Sequence, residues 1–89
     1  MAAQPSERQY EYFEDEAVGV LEDALQQEYR ARDYYRSSSL KRPWKKETKE
    51  LLEWLAGEES KHAQLITEHL DEIKRRLDWI HYKPGPKQE

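Results

Sequence analysis

Three residues stand where their helical pattern calls for apolar side chains. Glu28 falls in the series Val18, Leu21, Leu25, Glu28, Arg32, Tyr35, whose alternating steps of three and four trace one face of an α-helix. Glu59 and His62 fall in a second series, Leu52, Leu55, Glu59, His62, Ile66, His69, Ile73, Leu77, Ile80, apolar at both ends and polar in the middle. An unpartnered carboxylate in such a seam costs several kcal/mol, so it needs a cation or a metal. Taken singly, the simplest partner is a buried cation, and Arg32, one turn from Glu28, is the obvious candidate. Taken together, the three make a ligand set. Glu59 and His62, spaced i, i+3, aim a carboxylate oxygen and an imidazole nitrogen from one helix face at a common point. A carboxylate-bridged two-iron site in a four-helix bundle takes one Glu from each of two helices and a Glu-x-x-His from each of the other two. One copy of this chain supplies half of that set, and a symmetric pair supplies all of it.

Positioning these groups requires two long helices. Pro5, Pro43 and the run Pro84, Gly85, Pro86 bracket two stretches without an internal proline. They predict helix 1 over about 8–40, with Pro43 at the first position of helix 2 over about 43–82. A flexible tail, 83–89, completes a single domain spanning 1–89. No alternating run and no cluster of Val, Ile and Thr suggests a strand, so the class is all-α. The short connection through Ser37, Ser38, Ser39, Leu40, Lys41 and Arg42 implies an antiparallel hairpin. Glu28 and the Glu59/His62 pair have their midpoint near residue 44, so a turn at 40–45 brings all three to one height. Ala17, Ala24 and Ala31, seven apart, let a neighbouring helix approach closely. Two helices leave half of each apolar stripe facing water, and a second copy is the simplest cover, giving a four-helix bundle by homodimerisation.

Composition narrows the remaining choices. The chain has 89 residues, 38% of them charged and 36% hydrophobic, and no cysteine. That leaves room for one small domain, and for no disulfide, zinc-thiolate site, iron–sulfur cluster or thiol nucleophile. No apolar run approaches a membrane span and the N-terminus lacks a signal-like core, so the expectation is a soluble, cytoplasmic protein without a membrane partner. A formal net charge of −4 argues against nucleic acid as a partner and suits a protein that handles cations. The basic cluster KRPWKK at 41–46 is thin counter-evidence.

The stretches QEYRARDYY (27–35) and GEESKHAQL (57–65) carry a family resemblance. They resemble the rubrerythrin-type branch of the ferritin-like superfamily, in which a ligand Glu is followed by Ala, Arg and Tyr at offsets of three, four and seven. Glu28, Ala31, Arg32 and Tyr35 match those offsets. On the second helix an acidic pair precedes x-x-His-Ala, matched by Glu58, Glu59, His62 and Ala63. The family chain normally has two such helix pairs. This one has a single pair and is similar to the half-ferritins called encapsulated ferritins, whose di-iron centres form across a subunit interface. The resemblance implies a dimeric ferritin-like bundle holding two iron ions per dimer, or Mn or another divalent metal. In it Glu59 bridges while Glu28 and His62 bind terminally, and Tyr35 donates a hydrogen bond near the metal. The implied activity is that of a ferroxidase, oxidising Fe(II) to Fe(III) with O2 for iron handling and storage. The alternatives are a rubrerythrin-like peroxidase with an external electron donor and a metal-free helical interaction module. An encapsulating shell is a partner the resemblance also brings in, yet the tail HYKPGPKQE is polar and departs from an apolar targeting peptide.

Smaller expectations attach to other residues. His69 with Glu72 is a candidate accessory site, and Glu22, Asp23 and Glu58 are candidates for guiding iron inward. Trp44, Trp54 and Trp79 read as packing or interface anchors. Tyr10, Tyr12 and Phe13 form an aromatic patch able to bind another dimer and close a ring. Gly57, costly inside a helix, would leave room beside the site.

Overall fold

The computed structural model describes residues 4–82, with side chains through residue 77. Trp79, Ile80 and the tail 83–89 lie outside the described residues or side chains. The chain forms two helices, α1 over Glu7–Ser39 and α2 over Lys46–Tyr82. Ser6 caps α1 through a reciprocal pair of bonds. The Gln9 backbone N–H donates to Ser6 Oγ at 3.2 Å, and the Ser6 N–H donates to Gln9 Oε1 at 2.8 Å. The sequence signal for this capping box is Ser-x-x-Gln ahead of the periodic run.

The connection corrects the placement of Pro43. α2 starts at Lys46, so Pro43 lies in the link and not at the first helical position. The physical reason is a second cap. The Trp44 indole N–H donates to the Ser38 carbonyl at 2.7 Å, while the Trp44 backbone N–H donates to Arg42 O at 2.8 Å. Trp44 thus folds back onto the end of α1 and satisfies one of its last free carbonyls. The chain then needs Pro43 to Lys45 to cross to the second helix axis.

The helices run antiparallel: Glu14 pairs with Arg76 at 2.7 Å and Glu22 with Lys74 at 3.0 Å, so α2 numbers fall as α1 numbers rise. The buried line of α2 is Ala56, Ala63, Leu70, Ile73 and Leu77. Ile73 and Leu77 belong to the expected seam, whereas nearer the connection the buried line runs through Ala56, Ala63 and Leu70, and the seam residues there are turned by roughly 50°, half a residue step, away from α1. The heptad of small and apolar residues at 56, 63, 70 and 77 meets α1, and His62 and His69 are left exposed at its edge. On α1 the half-buried residues include Ala17, Leu21, Ala24, Leu25, Glu28, Ala31 and Tyr35.

Helical periodicity makes the hairpin a two-faced layer. One face gathers Phe13, Val20, Ala24 and Ala31 of α1 with Leu51, Leu55 and Ile66 of α2. The other carries Glu22, Lys74, Gln64 and Ser60. Val20 and Leu51 on the apolar face remain more than half exposed. No described side chain is less than 2% exposed, so the hairpin alone has no deep core. Neither helix is long and apolar enough to cross a membrane, among the described residues.

Candidate metal centre

Glu28 sits midway along α1, and Glu59 and His62 one turn apart on α2. The antiparallel register brings them level. One ligand atom from each lies within 4.8 Å of the others, and this is the only such group among the described residues. His62 Nδ1 is 3.5 Å from Glu28 Oε1 and 3.7 Å from Glu59 Oε2. Two donors bound to one metal at about 2.1 Å each stand about 3–4 Å apart, so these separations fit a shared ion. Glu28 and Glu59 keep 24% and 19% of their side-chain surface exposed, and His62 keeps 51%. The cluster therefore lies at the edge of the helix–helix seam and opens onto the apolar face.

Glu28 Oε1 is buried and has no hydrogen-bond partner. The cation expected to neutralise it is elsewhere: Arg32 binds Asp33 Oδ1 at 3.0 Å and stacks over the Tyr29 ring at 4.8 Å. This overturns the Glu28–Arg32 pairing, and its reason is local. Arg32 projects to the polar side of the layer, where Asp33 is next in sequence. The Glu59 carboxyl is held above the usual carboxylate range. The first cause is the hydrogen bond it shares with Glu28, then partial burial, then the negative charge of Glu28, with His62 pulling the other way. Two neighbouring carboxylates, one buried acceptor atom without a donor, and an imidazole beside both make a donor set suited to Fe(II) or Mn(II).

The other candidate residues are not part of this group. Tyr35 is half-buried two turns nearer the connection, its ring edge-on to Tyr34 at 5.7 Å. His69 is exposed and converges with no pair of further ligands among the described residues. Of the candidates for guiding iron, Glu22 and Glu58 each hold a lysine at 3.0 Å, Lys74 and Lys61 respectively, and Asp23 is exposed. A Cβ on Gly57 would meet nothing within 4 Å, and the residue lies on the polar side of α2, away from the site it was expected to relieve. Trp44, expected as an anchor, is a helix cap.

Two findings from known proteins bear on this geometry. No curated protein and no solved structure matches the chain. A family model described as Rubrerythrin matches residues 19–89, a stretch that contains Glu28, Glu59 and His62. Domains of this family usually bind two irons. With its all-α hairpin and its Glu, Glu and His cluster, the chain belongs to the rubrerythrin family of the ferritin-like superfamily.

Proposed function

We propose that this chain is a ferroxidase whose two-iron centre is completed when two copies meet through their apolar faces. The observation that carries the reading is the buried, donorless Glu28 Oε1 beside Glu59 and His62. An acceptor left in that state costs about 1–3 kcal/mol, and a cation relieves it. Three donors are too few for two metals. A two-fold partner adds three more, making the set of two Glu and two Glu-x-x-His that a bundle site takes. Bound as substrate, two Fe(II) ions together give O2 two electrons; with two protons the products are two Fe(III) and H2O2.

The chain's own residues bind and manage protons. Glu28 holds from α1 and Glu59 and His62 from α2, with His62 Nδ1 within 3.7 Å of both carboxylates, and metal binding would require Glu59 to give up the proton its raised pKa favours. Tyr35 is assigned a positioning role toward the centre from two turns away, and Tyr35→Phe is expected to slow oxidation without changing iron stoichiometry. Peroxide reduction is the second reading, favoured by the rubrerythrin match. There two Fe(II) and two protons convert H2O2 to two waters, and an external donor must return the electrons.

Anaerobic titration with Fe(II) followed by admission of air tests the proposal. Oxo-bridged Fe(III) absorbance is expected to saturate at about one iron per chain, and Glu59→Ala to abolish it. No such absorbance in the parent protein overturns the reading and leaves the metal-free interaction module. Faster oxidation by H2O2 than by O2 selects the peroxidase.

A further inference from the structure

The two ends of the hairpin carry opposite charge. Around the connection, residues 36–49 hold six cations (Arg36, Lys41, Arg42, Lys45, Lys46, Lys49) against the single carboxylate of Glu47. All six are exposed, and none makes an ion pair with a described carboxylate. Elsewhere Arg32, Lys61, Lys74 and Arg76 each have a carboxylate within 3.0 Å. At the far end, residues 7–23 of α1 carry seven carboxylates against Arg8 alone. Of these, Glu7, Glu11 and Glu16 have no ion-pair partner among the described residues.

Within one chain these ends cannot neutralise each other. Their nearest members on α1, Asp23 and Arg36, stand roughly 20 Å apart and the helix tips roughly 50 Å apart, against a Debye length of about 8 Å at physiological salt. Both ends also expose apolar surface. Leu40 is 74% exposed beside Trp44 at the connection, and Tyr12 is 67% exposed beside Phe13, their rings edge-on at 6.2 Å. The indole N–H of Trp44 is already bound to Ser38, so its ring is fixed in place for a partner to meet.

We propose that the basic connection end of one copy docks on the acidic open end of a second copy, a head-to-tail contact separate from the apolar face. Such a contact is heterologous, so it propagates beyond a two-fold pair and closes into a ring when its rotation allows. It uses none of the metal ligands and does not depend on the ferroxidase reading.

Sedimentation velocity on the full chain tests it. At about 0.01 M salt, assemblies at least about twofold heavier than those at about 1 M salt are expected, because screening shortens from about 30 Å to about 3 Å. The double variant Arg42→Glu with Lys45→Glu removes the larger species, and so does Glu11→Lys with Glu16→Lys. Mixing the two restores a larger species, since the intact acidic end of the first variant meets the intact basic end of the second. Parent protein of one mass at both salts overturns the proposal, as does a mixture that stays small. A parent tip that binds an oligonucleotide in preference to a second copy also overturns it. Ferric absorbance in each variant stays at the parent level, which separates this test from failure of the metal centre.

Discussion

At the scale of single residues, the centre is defined by what Glu28 lacks. Its neighbour Arg32 is drawn away by Asp33 and Tyr29, leaving two carboxylates and an exposed imidazole side by side. Glu59 keeps its proton to higher pH than an ordinary glutamate because Glu28 accepts a hydrogen bond from it and repels its charged form. The consequence for metal-free protein has a definite sign. Above about pH 4.3 the unfolded chain has released the Glu59 proton while the native chain retains it. The stability this proton contributes is complete below that pH and is lost as pH rises through the raised range. The thermal midpoint of metal-free protein is therefore expected to fall from acid toward neutral pH, and Glu28→Gln to flatten the fall. The difference between parent and variant isolates this pair from the other titrating groups. Added Mn(II) reverses the slope, because the metal competes with the proton and its stabilisation grows with pH. A parent and Glu28→Gln protein with identical pH profiles would contradict Glu28 as the cause of the raised Glu59 range.

At the scale of the helices, small residues set how closely α1 and α2 approach. Ala56 and Ala63 bracket Glu59 and are each 4% exposed, so the backbones are near one another at the ligand level. Ala63→Leu forces extra volume there and is expected to cost about 1–3 kcal/mol in chemical denaturation, with loss of metal binding. Gly57→Ala goes the other way. Its Cβ meets nothing, so it is expected to stabilise the hairpin by about 0.5–1 kcal/mol with iron stoichiometry unchanged. These helices explain what was legible in the sequence. The two long elements, their antiparallel order and the convergence of Glu28, Glu59 and His62 follow from proline placement, the three-four spacing and the midpoint of the turn. The phase of the α2 seam does not follow so closely. Leu52, Leu55, Glu59 and Ile66 share a face both with the buried Ala56–Ala63 line and with the exposed His62 edge. Periodicity alone therefore leaves a half-step uncertainty, which cross-helix packing resolves. Trp44 and the Glu14–Arg76 and Glu22–Lys74 pairs were not legible either, because each joins residues whose proximity depends on that packing.

At the scale of the whole molecule, a layer with one polar and one apolar face must be covered. Among the described residues the five buried apolar ones all lie on α2, and two of them are alanine. In the proposed dimer, two apolar faces pressed together would create the core that one hairpin lacks and would bring the second Glu, Glu and His to the first. Folding, association and metal assembly are then linked, and linkage has a measurable signature. The thermal midpoint of the metal-free parent is expected to rise with protein concentration, as it does when the folded state is a dimer and the unfolded state is not. Val20→Lys with Leu51→Lys places two charges on the exposed apolar face, each about two helical turns from the nearest ligand. Its expected behaviour is a monomeric mass, a lower midpoint independent of concentration, and iron binding well below one per chain. The binding readout matters most, because both substituted residues lie outside the ligand set. Loss of iron with Glu28, Glu59 and His62 intact can arise only if the second copy supplies part of the centre or holds it in shape. A parent protein that is monomeric, has a concentration-independent midpoint and still binds iron fully would instead place a complete centre within one hairpin.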